Sequence, residues 1–172
     1  MPVRVRQALQ GLSRPVALKI TVVGRAADGE VRARIAMKLS SPFIQLPYRF
    51  DVARLAHELG LLSGERWRLH PDRTNGNSAL PLISRAGGDN DDAAGDMRPT
   101  RHLENSPYLK QVVASFDEVF GRSRFMRLEP GCEVSLHVDV HHHWFNHVRI
   151  HIPVVTNPDV IFYCGTEQMH MQ

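Results

Sequence analysis

The sequence predicts an α+β domain that is mainly β, and three observations carry that reading. From Ser123 onward, apolar and polar residues alternate with period two through 123–131, 133–140, 147–155 and 160–165. Two earlier stretches, 51–62 and 106–121, instead repeat their apolar residues at helical spacing. Helices first and a run of strands after is the order of a helix-supported β-barrel or sandwich.

Each element has its own cause. Residues 17–39 alternate on both sides of Ala26-Ala27-Asp28-Gly29 and predict a hairpin, because Asp-Gly supplies the backbone freedom of a tight turn. Residues 40–48 predict a short strand between prolines. Asp51 is a cap for a helix whose Val52, Leu55, Leu59 and Leu62 share a face, and Ser63-Gly64 stops it. Turn chemistry at 70–77 precedes a short apolar run that ends at Ser84. Residues 85–102 are rich in Gly and Asp and predict an irregular loop with no apolar face. In 106–121, Pro107 suits a first turn, and Leu109, Val112, Val113, Phe116, Val119 and Phe120 form the buried stripe. Pro130-Gly131 and Asn157-Pro158-Asp159 are turns between the later strands.

Length and composition narrow the class. A chain of 172 residues with 42% hydrophobic and 23% charged residues suits one globular domain with its own core. No apolar run approaches the roughly 20 residues of a membrane span, and no secretory h-region follows the N-terminal arginines. Cys132 and Cys164 are too few and too far apart for a disulfide framework. A reducing, cytoplasmic setting is expected from them. Residues 1–36 hold seven Lys/Arg and two Asp/Glu, so the net charge of +3 belongs to this stretch and the remainder is slightly acidic. The expected division is a basic N-terminal extension with hairpin character at 1–36 and a single domain at 37–172. No basic stripe with interleaved aromatics follows residue 40, so no nucleic-acid partner is expected, and no membrane.

The chemistry concentrates between His137 and His151, where six of the ten histidines fall within fifteen residues. On a strand, residues i and i+2 share a face, which aligns His137 with Asp139 about 7 Å apart. One imidazole and one carboxylate are two thirds of the facial triad that leaves positions open on Fe(II). Arg149 and His151 share a face in the same way on the next strand. An arginine beside such a pair suits an oxyacid, since a guanidinium grips a carboxylate with two parallel hydrogen bonds. His141, His142 and His143 alternate faces, so they cannot all reach one ion, and they are expected to face solvent.

Four segments, 77–91, 97–116, 121–139 and 147–160, together resemble the aspartyl/asparaginyl β-hydroxylase-like family of Fe(II)/2-oxoglutarate-dependent dioxygenases. Pro130-Gly131, five residues and His137-Val138-Asp139, then Arg149-Ile150-His151-Ile152-Pro153, form the core of the likeness, which covers roughly four fifths of the chain. The resemblance implies a double-stranded β-helix, the jelly roll also found in cupins, with supporting helices. It implies His137 and Asp139 as iron ligands, and His151 and Arg149 as contacts of 2-oxoglutarate. The reaction class implied is hydroxylation of a small molecule, such as an amino acid, or of a peptidyl residue.

The chain departs from the family at its C-terminal end. A second iron histidine and an arginine for the far carboxylate of 2-oxoglutarate are expected after the last residues present. The last strands of the jelly roll are thus expected to be missing, with the third ligand absent or supplied by His170. Open sheet edges of this kind favour pairing with a second copy, and turnover is expected to need such a partner. Two alternatives stand beside the hydroxylase. One is a non-catalytic jelly roll used for interaction. The other is a cupin-type metal enzyme, against which counts the absence of Glu from 140–150.

Overall fold

Asp51 starts the first helix, α1 (Val52–Leu61), as its sequence predicts: its Oδ1 accepts the Arg54 N–H at 3.1 Å. This is seen in a computed structural model that describes residues 3–6, 16–23, 41–69, 76–117, 119–138 and 147–171. Leu55 and Leu62 are buried and Leu59 half-buried, whereas Val52 remains 49% exposed. The short α2 (Arg101–Glu104) leads into α3 (Pro107–Ala114). The cap of α3 comes from another helix. Ser106 makes no side-chain cap bond, and Glu58 of α1 accepts the Tyr108 and Leu109 N–H groups at 2.7 and 2.8 Å. Pro107 has no N–H to satisfy, so one buried carboxylate serves the orphan donors of that turn.

The stripe expected over 106–121 is correct as far as Phe116 and then fails. The helix ends at Ala114, Asp117 turns the chain with φ 47°, and Val119 and Phe120 form a strand. Residues 41–48 are not the expected strand but bends and irregular chain. Tyr48 and Phe50 there pack on Phe116, with ring centroids 4.8 and 5.9 Å away.

Among the described residues, eleven strands form two antiparallel sheets. In chain order they are β1 (Val3–Arg6), β2 (Val16–Val23), β3 (Arg68–Leu69), β4 (Asn77–Arg85), β5 (Met97–Pro99), β6 (Val119–Phe120), β7 (Ser123–Leu128), β8 (Glu133–His137), β9 (His147–Val155), β10 (Ile161–Cys164) and β11 (Glu167–His170). The larger sheet has seven strands. In it β4 pairs with β3, β5 and β7, and β2 lies between β7 and β9, with β6 continuing the β7 side. The smaller sheet runs β11-β10-β1-β8. The fold is therefore α+β and mainly β.

One face of the larger sheet carries the core. Leu80 pairs with Phe125, Phe125 with Leu18, and Leu18 with Ile152 in one register row. Leu80, Phe125 and Ile152 pack in a buried cluster with Leu55, Leu103, Leu109 and Val112 of the helices. Leu80, Phe125, Leu55 and Leu109 are fully shielded from water. Burial of such side chains is the main force holding helices on the sheet, at about 1.5–3 kcal/mol each.

The N-terminal strands sit inside these sheets. β1 is hydrogen-bonded to both β8 and β10, with Val3 opposite both His137 and Cys164. β2 is paired along its length between β7 and β9. The described parts of the stretch set apart by its charge, 3–6 and 16–23, are thus paired within these sheets. Within the expected 17–39 hairpin, the first arm is β2, and residues 24–40 lie outside the described residues. Both N-terminal strands thus hold interior positions, β1 between β8 and β10 and β2 between β7 and β9.

Candidate functional site

The second face of the larger sheet is the one turned toward the smaller sheet. Side chains alternate along each strand, so Arg124 and His151 lie opposite the face that carries Phe125 and Ile152. They share a row: Pro81 pairs with Arg124, Arg124 with Lys19, and Lys19 with His151. Two strand spacings, about 10 Å, separate the Arg124 and His151 backbones. The His151 ring meets Phe162 of the smaller sheet edge-on, with centroids 5.3 Å apart. Phe162 is itself buried. That contact fixes which face of each sheet looks inward. Arg149, two residues before His151, lies on the same inward face.

The smaller sheet brings His137 to its own inward face. Phe162 pairs with Val5 and Cys164 with Val3. Val5 then pairs with Val134, and Val3 with His137, with a register irregularity between them. The extra residue in β8 puts Val134 and His137 on one face although three positions separate them. His137 therefore shares a row with Cys164, on the side of Phe162. It lies at an exposed end, beside Leu136 and Val138 at 58% and 51% exposure. Its Nδ1 is 2.8 Å from the Ser135 carbonyl. A carbonyl only accepts, so Nδ1 carries the proton and Nε2 holds the lone pair that a metal would use.

Asp139 lies outside the described residues, as do His141, His142 and His143. Among the described residues no three His, Cys, Asp or Glu side chains form a group able to hold a metal ion. His170 does not supply the third ligand. Cys164 pairs with Glu167 and Ile161 with His170, so His170 stands three strands over from His137 and three residues further along. That is roughly 14 Å across and about 10 Å along the sheet, too far for two imidazoles to meet one ion. Its Nδ1 is also engaged, 3.0 Å from the Val160 carbonyl.

A feature that pattern reasoning missed lies next to this face. Arg122 and Arg124 stand at i and i+2, and both reach Asp91 in the loop after β4. Arg124 Nη1 is 2.6 Å from Asp91 Oδ1 and Arg122 Nη1 is 3.5 Å from it, and Arg122 also donates to the Asp91 carbonyl. Arg124 is only 4% exposed. Burial pushes its guanidinium down to about 10, helped by the neighbouring Arg122 and opposed by Asp91, with Arg149 adding a further push down. It stays protonated at neutral pH.

The loop itself is pinned rather than loose. Arg68 donates to the Asp89 carbonyl, Arg85 Nη1 lies 3.3 Å from Asp92, and Ser84 Oγ donates to the Gly88 carbonyl at 2.5 Å. The expected irregular stretch 85–102 also holds β5 and α2 at its far end. The signal in the sequence was the pairing of alternating arginines with an acidic loop, legible only once both are known to meet.

The arrangement is a cationic inward face, Arg124, Arg149 and His151, set against a strand that carries a ligand-competent imidazole. Its chemistry favours a small carboxylate. Comparison of the chain with family models, with curated proteins and with solved structures finds no match.

Proposed function

We propose that this domain is an Fe(II)/2-oxoglutarate-dependent hydroxylase of the aspartyl/asparaginyl β-hydroxylase-like type, with its two sheets as the walls of a double-stranded β-helix. The substrate class is an amino acid, a peptidyl residue or another small molecule. The observation that carries the reading is that His137 lies on the inward face of one sheet while Arg149 and His151 lie on the inward face of the other. That is the juxtaposition an iron site beside an oxyacid requires.

The residues fit the two groups unequally. The cationic face fits a 2-oxo acid well: Arg149 suits a carboxylate and His151 an oxygen acceptor. For iron, His137 offers Nε2, with Nδ1 held by the Ser135 carbonyl, and Asp139 two residues on would be its partner. The described residues do not complete a metal set. Iron and 2-oxoglutarate, when bound, would supply the oxidising power for hydroxylation of an unactivated carbon. The chain would contribute binding and orientation. Arg149 and His151 would hold the acid, and the Phe162 ring would fix the His151 imidazole and limit water beside it.

The test is an anaerobic Fe(II) titration with and without 2-oxoglutarate, followed through the visible charge-transfer band. The reading expects a band that needs both components and disappears in His137→Ala. A second reading, a carboxylate-binding jelly roll without chemistry, is favoured by the displacement of His170 from His137. It expects 2-oxoglutarate binding with no band in either protein.

A further inference from the structure

The loop between β4 and β5 is tied at a front post and a rear post. At the front, Asn90 Nδ2 donates to the Arg85 carbonyl at 2.9 Å, and the Asn90 N–H to the Gly88 carbonyl at 3.0 Å. At the rear, the Ala86 N–H donates to the Asp96 carbonyl at 2.7 Å, and Arg85 pairs with Met97. Residues 91–95 bridge the two posts. Among the described residues, 93–95 make no backbone–backbone hydrogen bond. Gly95 has φ 123°, a conformation side chains rarely permit, and it supplies a pivot beside the rear post. Two fastenings of unequal kind hold this stretch. Asp92 and Arg85 meet at 3.3 Å with both side chains more than half exposed, so salt screens the pair and it holds little. Asp91 instead meets Arg124 Nη1 at 2.6 Å in a shielded place, and Arg122 donates to the carbonyl of the same residue. Breaking that contact strips a buried guanidinium of its counter-ion, which is far more costly.

We infer that residues 91–95 are a strap closed on the inward face of the larger sheet and latched at a single point, Asp91. The latch is the shielded pair with Arg124, reinforced by Arg122. The exposed Asp92–Arg85 pair guides the strap without holding it. Opening breaks the Asp91 contacts, swings 91–95 between Asn90 and the Gly95 pivot, and lets water reach Arg124, which is 4% exposed when the strap is closed. The two posts survive this motion, since none of their hydrogen bonds belongs to 91–95. Salt is expected to open the strap hardly at all, because screening acts on exposed pairs and spares shielded ones. Loss of the Asp91 charge is expected to open it. The strap is a property of the chain without metal or acid, so it stands under either functional reading.

Limited proteolysis of the full chain with elastase tests this. Elastase cleaves after small residues, and Ala93 and Ala94 lie in the strap. With dilute protease, nicking there follows the population of the open strap. Nick sites are mapped by mass spectrometry, and rates are taken relative to a free peptide of residues 88–97. Asp91→Asn is expected to be nicked at the strap about tenfold faster than the parent, with other sites changed less than about threefold. Asp92→Asn is expected to stay within about threefold of the parent at the strap. Raising sodium chloride from about 20 mM to about 500 mM should likewise change the parent by less than about threefold. Equal strap nicking in parent and Asp91→Asn would overturn the inference. So would Asp92→Asn or high salt opening the strap as far as Asp91→Asn does, because the latch would then not be the shielded pair. Cleavage raised equally at every site in Asp91→Asn would overturn it as well, since Asp91 would then hold the domain and not the strap. A parent nicked as fast as the free peptide has no closed strap. If Asp91→Asn fails to fold by circular dichroism, Arg122→Gln decides: it removes one of the two guanidinium groups on Asp91, and strap nicking about threefold faster supports the latch, whereas an unchanged rate overturns it.

Discussion

The two sheets are made of similar strands and are held in different ways. The larger one is covered by helices, and its strands β4 and β7 are buried at seven of nine and four of six residues. In the smaller one, β8 runs from half-buried Glu133 to exposed His137. The first is a scaffold whose residues are fixed by packing. The second offers a candidate ligand at its rim, where few apolar contacts hold the strand. Candidate site residues thus come from both regimes: Arg124 from the packed sheet and His137 from the exposed one. A binding site commonly joins a rigid wall to a yielding one, because local opening free energy is lowest where burial is thin.

Substitutions should separate these regimes. The largest effect is expected at Phe125→Ala, which empties a fully buried position between sheet and helices and should cost about 3–5 kcal/mol in denaturant unfolding. A loss below 1 kcal/mol would mean that the larger sheet is not the packed one. Next comes Glu58→Ala. It leaves the Tyr108 and Leu109 N–H groups buried without their acceptor, and about 2–3 kcal/mol should be lost. Restoring a cap at Ser106 with Asp should recover part of it.

A smaller effect follows pH. Burial lowers the pKa of His102 from its ordinary 6.5, with Glu65 opposing and Arg101 assisting. The unfolded chain therefore takes up the proton first. The contribution is fully present above 6.5 and is lost as pH falls below that value toward the folded-state pKa. Unfolding midpoints measured from pH 8 to pH 5 should fall, and His102→Asn should flatten that part of the curve. The smallest effect on stability is expected on the exposed sheet. His137→Ala should change unfolding by no more than about 0.5 kcal/mol, while abolishing the iron-dependent band. If His137→Ala instead destabilised as strongly as Phe125→Ala, the contrast between the sheets would collapse.

What was legible in the sequence follows the same divide between local and distant causes. α1 could be read because Asp51 and the Leu55–Leu62 spacing lie within the element. β7, β9 and β10 could be read from alternation. The shared face of Arg149 and His151 was legible for that reason. The end of α3 was not, because Val119 and Phe120 keep the helical spacing while Asp117 breaks the backbone. β3, β5, β6 and β11 have two to four residues each, and their partners define them more than their own side chains do. The Glu58 cap joins residues 50 and 51 positions apart, and the Asp91–Arg124 pair spans 33, so neither has a local signature. The irregular register of β8 was also invisible, yet it sets the face on which His137 lies.

The position of β1 has a consequence for how the chain comes into being. Val3 leaves the ribosome about 160 residues before its partner Cys164. At synthesis rates of about 5–20 residues per second, the wait between them is on the order of 8–30 s. During that interval neither sheet can close, since each joins β1 or β2 to a strand synthesised much later. Contacts this distant along the chain also slow the search for the native state. The nascent protein therefore carries β1 without its partner strands until β8 and β10 have been made.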